Sequence, residues 1–338
     1  MTDVGRVVVL GDGSWGTALA LILAWNGIET SLWCNSPSQA KALGETRLNE
    51  RYLPGVELPP NLAVTADPYQ AAKGCEFALS VVPTQYLRSV AQRFEDAIPG
   101  NVPIASATKG IEIESFKTPT EILREVLGQR PTAVLSGPSH AEEVASRLPA
   151  SVVVASEDEE FAKLVQRALN GDVMRVYRGT DRRGVELAAA LKNVIAIAAG
   201  IADGLGLGDN AKAALVSRGM VEMARFGQAH GAQADTFFGL AGIGDLATTC
   251  YSRHSRNRGV GEAIGRGKTL KEVLAEMKMV AEGVWTTRAL FGPESEGRGV
   301  SMPIAEEVHA ILFEDKDPRR AVSDLMSREV ATEMEGLR

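Results

Sequence analysis

A chain of 338 residues, 45% apolar and 23% charged, has a globular composition and is too long for one ordinary hydrophobic core, so two domains are expected. Its net charge of -7 argues against a nucleic-acid partner, which needs a basic stripe, but leaves room for an anionic small molecule held by a few clustered cations. Cys34, Cys75 and Cys250 are too few and too scattered for a disulfide framework, so a reducing, cytoplasmic setting is expected.

Met1 to Gly5 lacks the charged, apolar and small-residue succession of a secretory leader. Short β-branched runs then recur and read as buried strands: Val7–Leu10, Thr30–Trp33, Phe77–Val82, Pro103–Ala107, Thr132–Leu135, Ser151–Ala155 and Val173–Tyr177. Between them, Ser14–Asn26, Gln85–Phe94 and Glu157–Leu169 have helical spacing. This alternation predicts an α/β domain with a mostly parallel, doubly wound sheet. Pro54, Pro59 and Pro60 make Tyr52–Asn61 a loop, because proline denies it a ladder or a helix.

After Arg178 the β-like runs cease. Gly184–Ile201, Asn210–Ala229, Leu270–Met277, Gly283–Glu296, Ile304–Phe313 and Pro318–Arg328 predict an all-α second domain, dividing the chain into 1–180 and 181–338. The most apolar stretch, Val185–Ala202, is interrupted by Lys192 and Asn193 and is short for a bilayer span of roughly 20 apolar residues, so no membrane insertion is expected.

Gly11, Gly13 and Gly16 form a Gly-x-Gly-x-x-Gly pattern that follows the first strand and opens a helix. In that context the first glycine makes the tight turn, the second admits a pyrophosphate, and the third lets helix and strand pack closely. The diphosphate then rests on the N–H groups at the positive helix end. A bare strand–helix turn is the alternative. The second strand ends in Cys34-Asn35-Ser36, with neither the acid that selects NAD nor a base for NADP, so the dinucleotide is left open between the two.

Lys192 and Asn193 sit in the middle of a segment apolar on nearly every face. A buried ammonium needs a partner or a polar cavity, and burial lowers a lysine pKa toward the range useful for proton transfer. A snorkelling lysine is the competing reading. Lys109 follows a parallel strand's carboxyl end, Asp245 follows three glycines, and Ser255-Arg256-Asn257 opens a helix that suits a phosphate. Taken singly, these read equally well as a solvated charge, a helix cap and a surface cation. His140, His230, His254 and His309 form no ligand or triad pattern, and no metal is expected.

Together, five strings resemble the bacterial NAD(P)-dependent glycerol-3-phosphate dehydrogenases over essentially the whole chain: Gly11–Leu19, Ser136–Ala145, Leu191–Val194 running into Asp203–Asn210, Gly239–Cys250 with Ser255–Asn257, and Val280–Val284. The resemblance implies a Rossmann N-terminal domain and an all-α C-terminal domain. The implied reaction interconverts dihydroxyacetone phosphate and sn-glycerol 3-phosphate with NAD or NADP, supplying phospholipid synthesis. Lys192 takes the proton-acceptor role, with Asp245 and Lys109 beside it. Substrate contacts carry over to Lys109, Gly137, Ser139, Asp245, Ser255, Arg256 and Asn257, with Asn193 and Thr249 near the substrate. Cofactor contacts carry over to Ser14, Trp15, Lys109, Ala141, Arg256, Val280 and Glu282, alongside Gly11, Gly13, Gly16 and Asn35. Many relatives carry a base where this chain has Asn35 and Ser36. Ser139-His-Ala-Glu142 also has the form of a capping box, and a homodimer through the helical domain is left open.

Overall fold

The computed structural model describes residues 4–277, 279–295, 299–329, 332–334 and 336–337. Met1–Asp3 and Glu296, assigned above to a non-secretory start and a helix end, lie outside the described residues. The chain divides into two units, Met1–Thr108 with Pro119–Arg182, and Lys109–Thr118 with Arg183–Arg338.

Among its described residues the first unit has ten strands: β1 (Val7–Leu10), β2 (Thr30–Trp33), β3 (Leu48–Asn49), β4 (Leu53–Glu57), β5 (Leu62–Thr65), β6 (Phe77–Ser80), β7 (Ile104–Ser106), β8 (Thr132–Ser136), β9 (Ala150–Ala155) and β10 (Met174–Gly179). Eight of them form one sheet in the order β10-β9-β8-β7-β6-β1-β2-β5. All its pairings are parallel except β8 with β9. Alternate residues of β1 serve opposite faces: Val7 and Val9 join one buried cluster, Val8 and Leu10 another. Burial on both faces explains the continuous apolar runs that mark these strands in the sequence. Chain order runs outward from β1 in both directions, toward β2 and β5 on one side and β6, β7 and β8 on the other. The carboxyl end of β1 is therefore a switch point, where open α/β sheets bind ligands.

The expected Tyr52–Asn61 loop is corrected. Leu53–Glu57 is a strand, paired antiparallel with Leu48–Asn49 through Leu48↔Glu57 and Asn49↔Leu53. Pro54 falls outside both pairs, and a two-stranded ribbon always has an edge that tolerates a missing N–H. The edge strand β5 also went unread.

The second unit is helical. Its central helix, Arg182–Leu205, is apolar on nearly every face and longer than the run expected for it. It is long and apolar enough to cross a bilayer, but its most apolar window is entirely buried within the protein, as in a core helix. Gly200 and Gly261 bring this helix against the Arg256–Gly265 helix. A Cβ on Gly200 would lie 2.0 Å from the Arg258 carbonyl oxygen, and one on Gly261 2.0 Å from that of Ile197. The Lys109–Thr118 segment contributes Ile111 and Phe116 to the same core.

Candidate active site

The glycine turn joins β1 to the Ser14–Trp25 helix. Gly11 has φ +113°, a conformation that side chains disfavour, and a Cβ on Gly16 would stand 1.9 Å from the Gly11 carbonyl oxygen. A Cβ on Gly13 would meet nothing within 4 Å. The turn is thus crowded at Gly11 and Gly16 and open at Gly13, where a diphosphate could approach the backbone. Gly13 is the N-cap and supplies no capping side chain, and the first turn holds no acid, so the helix end keeps its positive character. Ser14 is buried, and Trp15 is half-buried against the first unit's core. These residues fit a dinucleotide's diphosphate.

At the end of β2, the Asp12 carboxyl turns inward to the Cys34 thiol and the Asn35 backbone N–H; burial pushes its pKa up. Asn35 is exposed, and its Oδ1 accepts a hydrogen bond from Arg93 Nη1 at 2.6 Å. Gly137 follows β8 at φ +145°, with Val152 Cα 2.9 Å from where a Cβ would stand. Ala141 opens the Ala141–Ala145 helix. The expected capping box is corrected: the N-cap is His140, and Ser139 Oγ instead donates to the Gly137 carbonyl at 3.0 Å. The helix begins one residue too late for Ser139 to cap it, so its hydroxyl braces the preceding turn.

In the second unit Lys192 is only 4% exposed. Its Nζ donates to Asp245 Oδ1 at 2.8 Å and to Thr249 Oγ1 at 2.5 Å. Thr249 spends its own hydroxyl proton on the Asp245 carbonyl at 2.6 Å, so toward Lys192 it can only accept. Two ammonium protons are thereby fixed; the third has no partner among the described residues. The other carboxylate oxygen of Asp245 accepts from Lys109 Nζ at 2.7 Å. A π-helical turn, Leu240–Gly244, delivers Asp245 as the first residue of the Asp245–Tyr251 helix, which places Thr249 one turn later. Burial pushes the Lys192 pKa down to about 8; the Asp245 carboxylate opposes this and the Lys109 cation adds to it. Burial would raise the pKa of Asp245, but the charges and hydrogen bonds of Lys109 and Lys192 outweigh it and hold the carboxyl below its usual range.

Beside Lys192, Asn193 Oδ1 accepts from Asn257 Nδ2 at 2.9 Å, and Asn257 Oδ1 accepts from the Gly283 N–H at 2.9 Å. This buried amide pair joins the Lys192 helix, the Arg256–Gly265 helix and the start of the Glu282–Leu290 helix. Ser255 caps the Arg256–Gly265 helix by accepting from the Arg258 N–H at 3.2 Å. Exposed Arg256 donates to the Val280 carbonyl at 3.0 Å.

The second unit carries Lys109, Lys192, Asn193, Asp245, Thr249, Ser255, Arg256, Asn257, Val280 and Glu282, of which Lys109, Asp245, Lys192 and Thr249 are joined directly. The first carries Gly11, Gly13, Ser14, Trp15, Gly16, Asn35, Gly137, Ser139 and Ala141. Sequence reasoning assigned Asn257 to the phosphate; in the structure one of its two Nδ2 hydrogens goes to Asn193 and its Oδ1 accepts from Gly283. It also missed Asp203, whose Oδ2 accepts from Lys212 at 2.7 Å and Arg258 at 2.6 Å, and so fixes the helix that carries Arg256.

Profiles of the NAD-dependent glycerol-3-phosphate dehydrogenase N-terminus and C-terminus match residues 6–162 and 181–323. A glycerol-3-phosphate dehydrogenase [NAD(P)+] of Chlorobium phaeobacteroides (strain BS1) is 47% identical over 97% of this chain and 99% of its own length. One of Geobacter sp. (strain M21) is 48% identical over 97% and 98%. The crystal structure of glycerol-3-phosphate dehydrogenase from Coxiella burnetii superposes with a TM-score of 0.92 at 40% identity, covering 96% of this chain and 99% of that one. The chain belongs to the NAD-dependent glycerol-3-phosphate dehydrogenase family.

Proposed function

We propose that the chain interconverts sn-glycerol 3-phosphate and dihydroxyacetone phosphate with NAD(P), and that Lys192 is the group that exchanges the proton. One observation carries the assignment of Lys192: a buried ammonium with two protons fixed by Asp245 and Thr249 and a third uncommitted. When bound, the dinucleotide supplies hydride to the ketone carbon or accepts it from the alcohol carbon. In the reducing direction Lys192 Nζ donates its third hydrogen bond to the carbonyl oxygen, stabilises the charge that develops there and passes it a proton; C=O becomes CH–OH. In the oxidising direction neutral Lys192 takes the hydroxyl proton. Asp245 keeps Nζ aimed and offsets the cost of its charge, and Lys109 keeps Asp245 ionised. The Ser255-capped helix end and Arg256 hold the substrate phosphate, as a helix N-terminus and a guanidinium suit an anion. Three cysteines, all unpaired and buried, fit a cytoplasmic setting, where thiols stay reduced.

The test is an assay of dihydroxyacetone phosphate with NADPH and NADH in parallel, set against dihydroxyacetone. Oxidation of the dinucleotide is expected with the phosphorylated ketone and little with the other. Equal turnover of the two ketones would remove the phosphate from recognition.

A further inference from the structure

The end of β2 decides which dinucleotide a Rossmann sheet accepts: an acid there takes the ribose 2′-hydroxyl, and a nearby arginine accommodates a 2′-phosphate. Along the sequence this chain has neither. In space it has a cation. Arg93 lies just past the Thr84–Gln92 helix, and its guanidinium reaches the carboxyl end of β2, with Cζ 4.8 Å from the centre of the Trp33 ring and Nη1 2.6 Å from Asn35 Oδ1. Trp33 is itself immobilised: it is fully buried, its indole N–H donates to the Ala66 carbonyl at 3.0 Å, and Phe94 packs edge-on against it at 5.0 Å.

One edge of the guanidinium is thus pinned by Asn35 and one face by an aromatic ring, while its remaining N–H groups have no partner among the described residues. An exposed arginine ordinarily gives up rotamer freedom to bind a phosphate, and one already held in place gives up less. Asp12, the carboxyl closest in sequence to the turn, is buried and engaged with the Cys34 thiol and the Asn35 N–H.

We infer that Arg93, positioned by Trp33 and Asn35, is the residue that recognises the 2′-phosphate, and that this chain prefers NADP over NAD. The inference rests on dinucleotide binding at the glycine turn. Guanidinium and phosphate match fork to fork, with charge on both sides. Asn35 acts through Arg93 by fixing its plane.

Binding is read by titrating the full chain with NADPH, NADH, 2′,5′-ADP and 5′-AMP, with no turnover required. The intact chain is expected to bind NADPH and 2′,5′-ADP at least tenfold tighter than their partners lacking the 2′-phosphate. In Arg93→Gln, which keeps a donor for Asn35 and removes the charge, that preference should fall to threefold or less, through loss of NADPH affinity and not gain of NADH affinity. Arg93→Lys, with charge but no fork, should lie between. A preference that survives Arg93→Gln, or an equal loss of both dinucleotides, overturns the role of Arg93 and leaves dinucleotide binding standing. A chain that binds neither dinucleotide overturns both readings.

Discussion

Lys192 shows how far a single residue can be read before its surroundings are known. Alanine, leucine and isoleucine on nearly every face of its helix favoured a buried lysine over a snorkelling one, and a buried ammonium needs a partner. Which carboxylate it would be was not legible from periodicity, because Asp245 is 53 positions away. Arg93 was illegible for the same reason: 58 positions separate it from Asn35, and no local pattern records that two loops meet. The Lys192 site yields a prediction whose sign is fixed by its pKa. With Lys192 titrating near 8, its protonated form, the donor in the proposed reaction, predominates below that pH. kcat/KM for ketone reduction should fall as pH rises through about 8, and that for alcohol oxidation should rise over the same interval. Lys192→Met should lower turnover in both directions by about 10²–10⁴ and abolish these opposed limbs, while dinucleotide affinity holds. Opposed limbs that persist in the variant would assign the titration to another group.

Elements were legible where they were long or fully buried, because burial on both faces of the sheet and on all faces of Arg182–Leu205 writes itself into composition. The β3–β4 ribbon and the edge strand β5 were not, since short edge strands bury little and tolerate proline. Nor did the sequence announce that two helices touch backbone to backbone. The crossing at Gly200 and Gly261 sets how the Ser255-capped helix end stands relative to Lys192, and it can be tested by sign. In an isolated helix, glycine to alanine stabilises by about 1 kcal/mol. In Gly261→Ala the new Cβ would fall 2.0 Å from the Ile197 carbonyl oxygen, so the helices must part, at a cost of about 1–3 kcal/mol. The denaturation midpoint should therefore drop, and KM for the phosphorylated substrate should rise more than kcat falls. A stabilised variant with unchanged KM would mean that the two helices separate freely.

At the scale of the whole molecule, the two units do not follow chain order. A division near residue 180 captures the change from strands to helices, but Lys109–Thr118 packs with the second unit although both its flanks belong to the first. The segment is anchored in several ways. Ile111 is fully buried, Phe116 is 6% exposed with its ring 6.4 Å from Phe226 and 6.3 Å from His230, and Thr118 donates to Glu186 at 2.9 Å. Ten residues so held carry Lys109 to Asp245, so the electrostatics of the Lys192–Asp245 pair depend on a packing event outside the helical half of the sequence. Truncating a buried phenylalanine costs about 3–5 kcal/mol. In the intact chain, Phe116→Ala should show where that cost is felt: amide exchange should quicken in the Gly208–Ala229 helix, which carries Phe226, and leave β6, β7 and β8 protected. Faster exchange confined to the sheet would return the segment to the unit its numbering suggests. Because Phe116 touches no reacting group, any accompanying fall in turnover should come with a shift of the pH limb near 8, as Lys109 loses its hold on Asp245.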